Sequence, residues 1–150
     1  MNVKFVIRLF LLSATLAVSA AASDFELHAV ADAASATTKD YALLYGKMEW
    51  VHVETEVLLD ASALQRVQAT LTRDGKPQIE IQLTERGAKQ FAKITAERVG
   101  QQLAILLDGR LRSAPVVQTA ITDGNVVITG KFTPEEAIEL AGKISKRIKP

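Results

Sequence analysis

The chain contains no cysteine and only two histidines, His28 and His52, among its 150 residues. Without cysteine there can be no structural disulfide, no thiol nucleophile and no lipid attachment at a cysteine. The fold must therefore hold by its core alone. Neither histidine belongs to an H-E-x-x-H motif of a metal-binding helix. A Walker loop, a G-x-G-x-x-G turn and a G-x-S-x-G elbow are all absent, and no metal or cofactor is expected. Charge of one sign is missing too, with 18 basic residues against 17 acidic. Such a balance lacks the concentrated positive field that nucleic-acid binding requires. The basic stretch Lys143, Lys146, Arg147 and Lys149 reads as complementing the negative end of a helix dipole, not as a membrane patch.

Long hydrophobic runs are also missing. The stretch from Leu9 to Val18, about ten residues, is too short for a good membrane span. It follows the basic residues Lys4 and Arg8 and precedes Ala20 and Ala22, placed as an A-x-A cleavage site before Ser23. That layout predicts a signal peptide over residues 1–22, cut after Ala22 or Ala20, and a periplasmic or secreted protein. An uncleaved N-terminal anchor is the alternative; after cleavage no span is expected. Loss of Lys4 and Arg8 leaves 16 basic residues against 17 acidic, a net charge near −1. The remainder, about 128 residues, suits one domain with one core.

Residues 23–40 read as a short strand, Phe25 to Val30, followed by a small, polar linker, Ala31 to Thr38. Between Lys47 and Leu58, Val51, Val53 and Val57 alternate with Trp50, His52, Glu54 and Glu56, the period of a half-buried strand. Leu59 to Ala63 reads as a turn in which Asp60 and Ser62 bond locally to backbone. A hairpin follows: Val67, Ala69 and Leu71 alternate on one arm, Ile79, Ile81 and Leu83 on the other. Asp74-Gly75 turns between them, with Pro77 at a strand start.

Thr84 is the expected N-cap of a first helix and Gly100 its stop, with Ala88, Phe91, Ala92, Thr95 and Val99 along one face. Gly87 within that helix costs up to about 1 kcal/mol relative to alanine, which close packing against a sheet would explain. Leu103 to Leu107 is continuously apolar and reads as a central strand covered on both faces. Asp108-Gly109 turns the chain back into Leu111 to Ala114, and another strand runs from Asn125 to Thr129. A second helix starts at Thr133, with Pro134 in its first turn and Glu136 completing a capping box. Its apolar face is Ala137, Leu140, Ala141, Ile144 and Ile148. The sum is an α+β fold: a mostly antiparallel sheet, two amphipathic helices packed on one face, and a more polar, open opposite face.

Catalytic residues are not expected. Asp108 ends a buried strand, but Gly109 beside it points to a tight turn. Glu135 and Glu136 resemble a paired carboxylate, yet at a helix start they are capping residues. Binding features are present. Trp50, the only tryptophan, lies beside His52 on the polar side of its strand and is a candidate contact for a polypeptide partner; the alternative is a rim residue covering the sheet edge. Leu111, Arg112, Ser113, Ala114 and Pro115 form either an exposed binding ledge or the outer arm of a hairpin whose proline prevents edge pairing.

With these residues laid out, the chain resembles the head subdomain of the first periplasmic domain of SecD and SecDF, membrane subunits that assist bacterial Sec protein export. The likeness rests on Pro77 to Thr84 with Gly87 and Phe91, on Leu103 to Gly109, on Ser113 to Val116, and on Ile128 to Ala137, in that order. It spans about 65 residues and extends more loosely back to Tyr41, within a region taken as 41–150. The resemblance implies a domain that contacts emerging polypeptide and carries no active site. Motor activity is not implied, because the membrane-spanning bundle that such work needs has no counterpart here. The expected function is thus a non-enzymatic secreted module binding exported or unfolded polypeptide, or the Sec translocon itself. A head-like fold reused as an envelope interaction or inhibitor module is the alternative.

Overall fold

The computed structural model describes residues 24–148 except Gly46, and of Leu44, Tyr45 and Lys47 the backbone alone. The expected signal peptide and its cleavage site lie outside the described residues, as does Lys149. Among the described residues nine strands and two α-helices follow in order: β1 (Phe25–Ala31), β2 (Thr38–Tyr45), β3 (Lys47–Glu54), β4 (Leu59–Asp60), β5 (Leu64–Leu71), β6 (Pro77–Leu83), α1 (Glu85–Glu97), β7 (Leu103–Leu107), β8 (Arg110–Ser113), β9 (Asn125–Thr129) and α2 (Pro134–Ser145). A short 3₁₀ turn, Ala61–Ala63, joins β4 to β5. Asp60 Oδ1 accepts from Ser62 N at 2.8 Å there, the local bond expected of that pair.

The α+β class holds and every strand pairing is antiparallel, but the expected single sheet is two. One has the order β2-β3-β1-β7-β8, with β4 pairing the start of β1; the other has the order β5-β6-β9. Within the larger sheet the pairing of β1 is divided. Strand β1 gives β3 only its last two residues, Val30 opposite Val53 and Ala31 opposite His52. Glu26 and Leu27 pair with Asp60 and Leu59 of β4 instead. The β2–β3 hairpin is therefore joined to the sheet over a short length and forms an arm.

Strand β7 shows what the arm is for. Leu103, Ile105 and Leu107 face the main core, which also takes in Phe25, Leu27, Ile79, Ile81, Ile128 and the apolar faces of both helices. Ala104 and Leu106 face the other way, into a second, smaller core with Val51, Val53 and Leu111, flanked by Tyr41 and Leu43. The outer face of this sheet, expected to be polar and open, is covered here by its own arm. His28, on the same side of β1, is buried and clamps the arm's end: its Nδ1–H donates to the Glu54 carbonyl at 2.8 Å, and Nε2 lies 3.1 Å from Glu26 Oε2.

The two Asp-Gly turns differ. Asp108 and Gly109 are both left-handed, at φ 52° and 70°, closing a two-residue hairpin in which Leu107 pairs with Arg110. Asp108 Oδ2 also accepts from Lys143 Nζ at 3.2 Å. In the β5–β6 turn only Gly75 is left-handed, and the loop closes by Thr72 N–H to the Lys76 carbonyl at 2.8 Å.

Both helices start as expected. Thr84 Oγ1 accepts from Gly87 N at 3.0 Å, and Thr133 and Glu136 form a reciprocal capping box. The buried face of α1 is Gly87, Phe91, Ile94 and Thr95, not the expected face ending at Val99. The helix stops at Glu97, so Val99 leaves the helical period and is exposed. Gly87 is tightly packed, but against the 3₁₀ turn and not a sheet: an added Cβ would sit 2.5 Å from the Ala63 carbonyl oxygen. Val57, expected inside, is exposed because β3 ends at Glu54.

Candidate functional site

Strands β2 and β8 are the two free ends of the larger sheet's strand order. The curl of the arm brings them to face one another across an open groove of about 480 Å³. Tyr41 and its neighbours on β2 form one side, and Arg110, Leu111 and Arg112 of β8 the other. Lys131 and Phe132, from the loop before α2, close the end. No backbone pairing joins β2 to β8 among the described residues, and each is a terminal strand of the sheet order with one unpaired edge.

The groove combines cations with aromatic rings. The Arg112 guanidinium lies over the Phe132 ring at 5.9 Å, and Lys39 Nζ lies 5.2 Å from the Tyr41 ring centre. Arg112 Nε is buried and has no hydrogen-bond acceptor among the described residues. Glu136, the one carboxylate lining the groove, is already engaged, its Oε2 accepting from Thr133 N at 2.9 Å.

The residues singled out in the sequence fall into separate places. Arg112 is half-buried in the groove wall, and Leu111, 8% exposed, lines the groove while packing into the second core. Ser113 and Ala114 are half-buried, and Pro115 is exposed on the rim of a different, apolar cavity. That cavity, about 230 Å³, lies between α1 and β7, with Phe91, Ile105 and Val117 in its lining. Its covering loop is held by Ile121 N–H donating to Thr95 Oγ1 at 2.9 Å.

Trp50, 60% exposed, sits opposite Ala42 in the arm's register, on the side away from the second core, next to exposed Met48 two residues earlier. His52 Nδ1–H donates to Asp40 Oδ1 at 2.6 Å across the arm. Sequence reading had not singled out Tyr41, Arg110, Lys131 or Phe132 as a group. They lie up to 91 positions apart in the chain, and no local pattern joins them.

Among the described residues no cluster of three metal-ligating side chains occurs, and no helix is long and apolar enough to cross a membrane. What the groove offers is positive charge, ring faces and, beside it, unpaired strand edges.

The family model described as "SecDF, P1 head subdomain" matches residues 35–146. The chain belongs to the SecDF P1 head family. It is 42% identical over 94 residues to the protein translocase subunit SecD of Leptotrichia buccalis, covering 63% of this chain and 23% of that protein. Against the protein translocase subunit SecDF of Thermus thermophilus it is 43% identical over 84 residues, 56% of this chain and 11% of the other. This head chain thus spans between about a tenth and a quarter of these relatives. A solved structure of "a membrane component SecDF that enhances protein export" superposes with a TM-score of 0.65 at 27% identity, covering 81% of this chain and 61% of that one. SecDF in a super-membrane-facing form superposes equally well over the same share of this chain, and over 18% of its own.

Proposed function

We propose that this head domain is a non-catalytic module of protein export, periplasmic or secreted. It binds exported or unfolded polypeptide, or a component of the Sec translocon. Residues 1–22 act as its export signal and 41–150 as the head-like unit, with strand and linker between. The observation that carries this reading is the groove between two terminal strands, each with one unpaired edge, in a chain of the SecDF head family. An extended polypeptide can add its backbone to a free strand edge, which gives affinity with little dependence on sequence. The rings of Tyr41 and Phe132 in the groove, and the exposed Trp50 and Met48 on the arm's other side, favour side chains that a folded partner would hide.

Equilibrium binding of the full chain to an unfolded export precursor, set beside the same precursor folded, tests the proposal. Preference for the unfolded form is expected. Affinity no better than that of an unrelated domain of similar charge overturns it. Photo-crosslinking in cells from positions 50 and 112 then identifies the captured partners.

A further inference from the structure

Resting on the polypeptide-binding reading, we propose that the groove between β2 and β8 selects acidic segments, with Arg112 as the main contact for a partner's carboxylate. Arg110, Arg112 and Lys131 all line this groove, and none of them makes an ion pair among the described residues. Elsewhere Lys89, Lys93, Lys143 and Arg147 form ion pairs, while Arg73 and Lys76, among others, do not; what sets the groove apart is that three such cations share one concavity. The groove's only carboxylate is turned to the α2 cap. A chain with a formal charge of only +1 has therefore gathered three unmatched cations in one concavity.

Arg112 is the best placed of the three. The ring of Phe132 beside its guanidinium restricts the side chain's freedom before any ligand arrives. A planar guanidinium presents its N–H groups as a fork that matches a carboxylate. Its Nε is covered by the protein, whereas its two terminal nitrogens are neither buried nor bonded among the described residues and are the ones a ligand carboxylate meets. An unpaired strand edge beside the groove adds backbone bonds for an extended segment, which a free small anion could not use. Charge complementarity and edge geometry together therefore specify an extended acidic polypeptide.

The test is fluorescence anisotropy with the full chain and two labelled, unstructured peptides of equal length. One carries Asp and Glu, and in the other these are Asn and Gln. The acidic peptide is expected to bind about tenfold more tightly, with that margin shrinking as salt is raised. Arg112→Gln should erase the margin while the thermal melting point stays put, and Arg112→Lys should keep part of it, since charge remains but the fork is lost. Equal binding of both peptides, unchanged by Arg112→Gln, overturns the acidic preference and leaves polypeptide binding standing. Binding of neither peptide overturns the reading on which the preference rests. Anionic phosphatidylglycerol vesicles bound as tightly as the acidic peptide, and lost with Arg112→Gln, overturn it in favour of a lipid surface.

Discussion

The two cores of this molecule are unequal in kind as well as size. The main core draws on both sheets and both helices, and Ile79, Leu107, Ile128 and Ile144 within it are 1% exposed or less. The second is a thin layer of Val51, Val53, Ala104, Leu106 and Leu111 beneath one hairpin. The arm that covers it is tied to β1 by two residue pairs and the His28 clamp. One region is thus held from every side and the other along one seam. Local opening free energies follow such differences in packing. The groove lies where the strand held along one seam meets the strand held from every side.

The largest expected effect comes from breaking the main core. Ile79→Ala leaves a cavity between β6 and the helices and should cost about 2–5 kcal/mol, lowering the melting point of the whole domain. Chemical denaturation reads this directly, and a loss below about 1 kcal/mol would mean that the site collapses freely around the gap.

A smaller and more local effect is expected in the second core. Val53→Ala removes two buried methyl groups, worth about 1.5 kcal/mol at roughly 0.8 kcal/mol per carbon. Hydrogen exchange should quicken at Tyr41 to Leu43 and at Val51 while α2 stays protected. Equal quickening in α2 would show that the two cores open as one unit.

The smallest effect concerns the polar face of the three-stranded sheet, where Glu80 accepts from Gln68 Nε2 at 3.0 Å, Thr70 Oγ1 at 2.9 Å and Gln78 Nε2 at 2.9 Å. The Gln68 bond first, then Thr70, holds the Glu80 carboxyl below the ordinary glutamate range. Because the folded value is lowered, the stabilisation is complete above that range, near pH 4.3, and fades as pH falls through the folded value. Glu80→Gln should therefore flatten the acid limb of a melting-point profile and leave the second core's exchange untouched. An unchanged acid limb would remove Glu80 from the account.

Much of this was legible along the chain. Thr84, Thr133 and Glu136 cap their helices because capping is a contact over three or four residues, set by local geometry. Alternation at Ile79, Ile81 and Leu83 reads correctly because successive side chains of any strand point to opposite faces. The continuous run at β7 announced two covered faces, although not what covers them. Other residues were read less well. Ile94 was passed over in favour of Val99, since a helix pattern says nothing of where the helix stops. Leu71 alternates properly yet is 61% exposed, because it lies at the far end of its strand, past the core. Of the groove only Leu111 and Arg112 had been marked beforehand as binding residues, as parts of a ledge.

The amino-acid sequence by itself determined the elements, their caps and turns, and the side of each strand that seeks a core. These depend on steric and hydrogen-bonding preferences that act within a few residues. The tertiary structure alone decided that the strands divide into two sheets, that the arm folds back over β7, and that β2 and β8 meet across a charged groove. Those outcomes depend on which distant strands bury one another's apolar faces, a choice made by the free energy of the whole core and not by any segment.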